Sequence, residues 1–148
     1  MNTINVAKLV PEAKLPSRKH AADAGLDLFT LEDVTVNPFD HAIVRTGIAI
    51  DIPIGFYGQI MPKSRNNHLV GAGVVDPGYK GEILVKIVNF ECNRVFIRPG
   101  DAIAQIIIIP IETPIPLEVP INEILEIETD RGATGGIVNQ ITYPEKGE

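Results

Sequence analysis

Proline and glycine interrupt this chain so often that long helices are ruled out. The 148 residues hold 12 prolines and 13 glycines, with short runs rich in isoleucine and valine between them. Proline lacks the amide hydrogen a helix interior needs, and β-branched side chains lose rotamer freedom there. Leu26–Phe29, Ala42–Ile50, Tyr57–Met61, Ile83–Phe90, Val95–Ile97 and Ala102–Ile109 therefore read as strands. The one helical candidate, Glu123–Ile127, is short and follows Pro120. Many short strands with frequent turn signals imply an all-β sandwich or barrel. No internal repeat or linker divides the chain, and its length suits one domain with a real core.

Two apolar runs need a closer look. In ILVKIVNF (83–90), Lys86 and Asn89 interrupt the apolar residues, and burial over much of both faces is expected. AQIIIIPIETPIPLEV (104–119) carries four consecutive isoleucines. These fit a central sandwich strand or a strand that ends in a subunit interface. Pro110, Pro114, Pro116 and Pro120 prevent an ordinary ladder from continuing and suit an extended arm over another surface.

A net charge of −6 argues against a general grip on nucleic acid, which needs clustered lysine and arginine. A small anion held by a few local cations remains compatible with it. The single cysteine, Cys92, excludes an internal disulfide and a thiolate metal site, and follows an apolar run where buried filler is expected. His20, His41 and His68 match no metal-ligand spacing. Met1–Val10 lacks a basic start followed by an apolar stretch, and no run is long enough to cross a bilayer, so no membrane association and a cytoplasmic location are expected.

Four polar clusters break the apolar pattern at strand edges: Asp23–Asp27, Lys63–Arg65, Asp76–Tyr79 and Asp101–Gln105. Arg131 adds a cation near the C-terminus, followed by Gly132, Gly135 and Gly136. Each has an ordinary reading as turn or loop chemistry, and the tail also reads as a frayed terminus. Together they form an inventory for a nucleotide. Asp27 and Asp76 are carboxylates able to orient and deprotonate water. Lys63, Arg65 and Arg131 are cations for a phosphoryl group. Ser64 and Gln105 supply neutral hydrogen bonds, and Tyr79 offers a flat ring for a sugar or base.

The chain resembles the trimeric dUTP pyrophosphatase (dUTPase) family, with motifs in the family's order over most of its length. AADAGLDLF (21–29) is similar to the first motif, PKS (62–64) to the second, and GAGVVDPGYKGEI (71–83) to the third. RPGDAIAQIII (98–108) is similar to the fourth and RGATGG (131–136) to the start of the fifth. The resemblance implies a β jelly roll or distorted barrel, assembled as a homotrimer with active sites shared between subunits. It implies hydrolysis of dUTP to dUMP and pyrophosphate, which limits uracil in DNA and supplies dUMP for thymidylate synthesis. The backbone of Val70–Val75, including Gly73, Val74 and Val75, would read uracil. Tyr79 would pack on the deoxyribose and exclude a 2′-hydroxyl. Asp76 would bond the 3′-hydroxyl and serve as general base. Lys63, Ser64, Gln105 and Arg131 would contact phosphates, with Arg65 beside them. Mg²⁺ would travel on the triphosphate, with Asp27 touching its water shell. Residues 1–129 would form the β domain and 130–148 a C-terminal arm.

The second and fifth motifs are altered. Lys63 replaces arginine and loses its bidentate fork, and Arg65 stands where glycine is expected. The segment from Ser64 to Asp76 is short for the family. Beyond RGATGG, Ile137 stands where an aromatic would cover the base. Two other functions share this pattern. A regulatory nucleotide-binding protein would keep the pocket with weakened chemistry. A dCTP deaminase shares a segment like Asp76–Tyr79 but needs a glutamate near position 86, where this chain has Lys86.

Overall fold

The computed structural model describes residues 3–71 and 73–125. The chain divides into two units, Met1–Thr113 and Pro114–Glu148. The first holds strands β1 (Asn5–Lys8), β2 (Leu26–Phe29), β3 (Val34–Val36), β4 (His41–Arg45), β5 (Ile48–Asp51), β6 (Phe56–Met61), β7 (Leu69–Val70), β8 (Gly73–Val75), β9 (Leu84–Val88), β10 (Val95–Ile97) and β11 (Ala102–Pro110). The second contains helix α1 (Asn122–Leu125). The expected end of the β domain at residue 129, and the last residues of the expected helix, lie outside the described residues. No described helix is long and apolar enough to cross a membrane.

All strand pairing is antiparallel. The main sheet runs β2-β11-β6-β8 and a second runs β4-β9-β7; the pairs β1-β5 and β10-β3 complete the wall. They close as a distorted jelly-roll barrel around an aliphatic core, in which Leu28, Val44, Ile50, Val85, Ile87 and Ile106 are fully enclosed. Branched side chains suit this interior because they pack closely with little rotamer entropy to lose.

The expected strand Ala42–Ile50 is two strands. The backbone turns at Thr46–Gly47, where Gly47 adopts a φ of 68°, a left-handed conformation that glycine takes at little cost. β4 then pairs with β9 while β5 pairs with β1. β11 is a central strand, flanked by β2 and β6. Its isoleucines need no water-facing side: Ile106 is buried and Ile107, Ile108 and Ile109 are partly covered.

Two expectations fail. β9 is not buried on both faces: Val85 and Ile87 point inward, whereas Leu84 and Lys86 are exposed. Cys92 is exposed, because it lies in the loop after β9 rather than in the strand.

Asn89 explains the polar interruption after β9. Its side chain is fully buried and its amide nitrogen donates to the carbonyls of Val36 (3.1 Å), Asn37 (3.0 Å) and Asn93 (2.8 Å). Its Oδ1 accepts from the Glu91 amide at 3.0 Å. One side chain thus ties the β3–β4 turn to the loop before β10. Asn89→Ala leaves these buried groups without that partner and is expected to cost about 2–4 kcal/mol, read as a lower urea midpoint with unchanged slope.

Candidate functional site

The register of β11 gathers the first, second and fourth polar clusters. Gln105 lies opposite Asp27 on β2 and opposite Met61 on β6, directly before Pro62 and Lys63. Asp27, Lys63, Ser64, Arg65 and Gln105 line one open cavity of about 470 Å³. Lys63 forms an ion pair with Asp27, both side chains being largely covered. Gln105 donates from Nε2 to the Pro62 carbonyl at 3.0 Å. A Cβ on Gly25 would lie 2.2 Å from Gln105 Oε1 and 2.9 Å from its Cβ, so only glycine leaves room for this side chain.

The loop carrying Ser64 and Arg65 is tied down behind the cavity. Asn66 Nδ2 donates to the Ala102 carbonyl at 3.0 Å. Buried His68 donates from Nε2 to the Ile103 carbonyl at 2.9 Å. Both bonds fasten the loop to the start of β11, which supplies Gln105.

Lys19, His20 and Asn66 also line the cavity, and the sequence reading passed over them. Lys19 and the adjacent imidazole of His20, just before the first motif, were the available signal. Asp23 lies here too. The backbone N–H of His20 donates to its carboxylate at 2.9 Å and, with the neighbouring imidazole, holds it below the usual carboxylate range. Asp23 therefore stays anionic at neutral pH.

The third cluster is elsewhere in the chain. β7 and β8 border the segment Val70–Val75, of which Ala72 lies outside the described residues. Space is tight here: a Cβ on Gly73 would sit 3.0 Å from Ile60 Cδ1, and one on Gly71 3.2 Å from Lys86 Cβ, so each neighbour would have to give by a few tenths of an ångström. After β8 the chain turns at Pro77–Gly78, closed by the Tyr79 amide donating to the Asp76 carbonyl at 3.0 Å. Asp76 is exposed and Tyr79 is half-exposed. Neither they nor Val70, Gly73, Val74 or Val75 line the cavity that holds Lys63 and Gln105. Within one chain the third cluster thus stands apart from the cavity. Arg131 and Ile137 lie outside the described residues.

The cavity suits a phosphate chain better than a protein-held metal. Among the described residues, no three histidine, cysteine, aspartate or glutamate side chains converge as ligands. Asp27 is paired with Lys63 and Asp23 is turned to His20. This donor set fits a Mg²⁺ ion that brings its own oxygen ligands.

The family model for dUTPase matches residues 11–137. The chain belongs to the dUTPase family. It is 39% identical to the deoxyuridine 5′-triphosphate nucleotidohydrolase of Mycolicibacterium gilvum, over 90% of this chain and 92% of that protein. It is 38% identical to the fowlpox virus enzyme of the same name, over 91% and 95%. Among solved structures it superposes on a dUTPase from phage phi11 of S. aureus with a TM-score of 0.76 and 28% identity, covering 80% and 96% of the two chains. A Staphylococcus bacteriophage 80alpha dUTPase with dUpNHpp gives 0.76 and 29%, covering 89% and 95%. Membership in the dUTPase family displaces the deaminase alternative, in keeping with an exposed lysine at position 86 of β9.

Gly25→Ala in this dUTPase-family chain is expected to push Gln105 off the Pro62 carbonyl and into the cavity. Pyrophosphate affinity, measured by calorimetry, should fall by about tenfold through lost hydrogen bonding, and thermal stability should fall as well, since the 2.9 Å approach to Gln105 Cβ is not relieved by side-chain rotation.

Proposed function

We propose that this chain hydrolyses dUTP to dUMP and pyrophosphate, at sites completed between copies in a homotrimer. The observation that carries the reading is the pair of half-sites. A cavity lined by Lys19, Lys63 and Arg65 beside Asp23 and Asp27 fits a triphosphate that carries a cation, and a glycine-rich hairpin followed by Asp76 and Tyr79 fits a deoxynucleoside. The family relationship names the substrate.

Each side chain then has a role. Backbone groups of Val70–Val75, including Gly73, Val74 and Val75, pair with the uracil edge. Cytosine would leave buried donors and acceptors unpaired, a strong basis for rejection. Tyr79 packs on the deoxyribose and occupies the room a 2′-hydroxyl needs. Asp76 accepts the 3′-hydroxyl and takes a proton from the attacking water. That water's oxygen bonds to the α-phosphorus, the bond to the α–β bridging oxygen breaks, and pyrophosphate leaves. Lys63, Ser64, Arg65 and Gln105 bind and orient the phosphates, and Arg131 joins them from the C-terminal arm. Mg²⁺ on the triphosphate, facing Asp27 through water, neutralises phosphate charge when bound.

Assembly of copies is supported by the outer face of β4-β9-β7, where Ile43, Leu69 and Leu84 are about half exposed. A surface of this kind is normally covered. In the proposed trimer, Asp76 and Tyr79 of one copy meet the cavity of another.

Asp76→Asn removes the general base and should lower pyrophosphate release from dUTP by about 10²–10⁴-fold. Lys63→Ala should also be weak. Unfolding and refolding the two variants together should restore part of the activity, since mixed trimers contain sites with both wild-type halves. Full activity in Asp76→Asn would end the proposed chemistry; no recovery on mixing would place both half-sites of each centre within one copy.

The proposed arm, residues 130–148, has its own check. A chain ending at Thr129 should keep its fold and lose kcat/KM for dUTP. An unchanged value would remove Arg131 from the site.

A further inference from the structure

The half-exposed ring of Tyr79 is held by more than packing. Its hydroxyl donates to the backbone carbonyl of Glu82 at 2.7 Å. The ring folds back over Gly81, where a Cβ would lie 2.7 Å from the Tyr79 hydroxyl oxygen and 2.8 Å from Cζ. Gly81 shows no positive φ, so its backbone has no need of glycine and the ring alone excludes a side chain.

Glu82 is itself clamped. Its carboxylate accepts the Gly47 amide at 2.8 Å and the Arg45 guanidinium Nε at 3.2 and 3.3 Å. The side chain is 18% exposed. The next residue is fixed to the same turn: the Ile83 amide donates to Ile48 at 2.8 Å, and Thr46 Oγ1 donates to the Ile83 carbonyl at 2.6 Å. The β4–β5 turn therefore determines where the Glu82 carbonyl lies, and that carbonyl determines where the phenol lies.

We infer that Glu82 and Gly81 are positioning residues for sugar discrimination, acting through Tyr79. The inference rests on the reading that Tyr79 packs on the deoxyribose. A steric filter rejects a 2′-hydroxyl only as strongly as its wall resists displacement. A tyrosine free at χ1 and χ2 would swing aside at small cost. Anchored at its hydroxyl to a carbonyl that cannot move, the ring stays in place. Ribose then meets a fixed obstacle, whereas deoxyribose meets none.

The test compares kcat/KM for dUTP with kcat/KM for UTP in the full chain. Tyr79→Phe removes only the anchor, Glu82→Ala loosens its support, and Gly81→Ala displaces the ring. Each should reduce the dUTP-to-UTP ratio by about tenfold, the scale of one lost hydrogen bond, chiefly by raising use of UTP. The Tyr79→Phe/Glu82→Ala double variant should go no further than its lower single, because both act on one bond. A ratio unchanged in Tyr79→Phe but collapsed in Tyr79→Ala would overturn the anchoring role while leaving the sugar reading standing. A ratio unchanged in Tyr79→Ala would overturn that reading and the inference with it. Equal losses on both nucleotides in Glu82→Ala would make Glu82 merely structural. Should that variant fold poorly, Tyr79→Phe decides alone.

Discussion

Pairing along both edges of β11 is the constraint on which the rest depends. Backbone hydrogen bonds to β2 on one side and β6 on the other leave one register for Gln105, opposite Asp27 and Met61. That register is enforced by the core, because Ala104 and Ile106 are fully buried. A slip of one residue would reverse the faces of every side chain, sending these residues outward and Gln105 into the aliphatic interior. Burial of ordinary apolar groups thereby fixes polar groups that are remote in sequence. The chemistry of the cavity follows from hydrophobic patterning on the strand that supplies one of its members.

The second half-site is anchored independently. Asp76 and Tyr79 leave β8, and the chain returns to the core through Glu82 and Ile83, both fastened to the β4–β5 turn. Nothing in this anchorage involves the β11 cavity. Each cluster is hydrogen-bonded to its own part of the barrel, so on the proposed reading the geometry of the complete site is set by how copies pack. On that reading activity depends on assembly, because Asp76 and Tyr79 do not line the cavity that holds Lys63 and Gln105.

Much of the fold was legible because proline, glycine and β-branched residues act locally. Leu26–Phe29 and Val95–Ile97 coincide with β2 and β10, and Ala102–Ile109 differs from β11 only at its end. β1, β3, β7 and β8 were not among the expected strands because each is short, and NVAK reads as nothing in particular until β5 pairs with it. The split of Ala42–Ile50 was hidden because Thr46–Gly47 sits in a run with no other break, and only the change of partner strand shows the corner. The exposed face of β9 was misjudged for a related reason: Leu84 is apolar yet outward, and a lone chain does not reveal what covers it. At the site, the residues with strong chemistry were readable as types. Lys19 and His20 were readable as types but not as members of the cavity, because their place there comes from tertiary folding of the segment before β2. The link of Gly81 and Glu82 to Tyr79 is visible only in the fold, through the Glu82 carbonyl and the ring packed over Gly81.

The ion pair between Lys63 and Asp27 gives the cavity a balanced state without ligand. Both side chains are largely covered, and an unpaired charge there would carry a substantial desolvation cost. A lysine ammonium is a compact point charge, whereas arginine presents a planar fork able to hold a carboxylate and a phosphate together. Lys63 is therefore less suited to serving both partners at once. On the proposed reading, phosphate oxygens would take Lys63, and Asp27 would be the residue left to hold, through water, a Mg²⁺ carried on the triphosphate. Each charge leaves one partner for another of the same sign, so neither is stranded. Phosphate alone would release Asp27 with nothing to replace the lysine, so on that reading a cation accompanying the phosphates would lower the cost of breaking the pair.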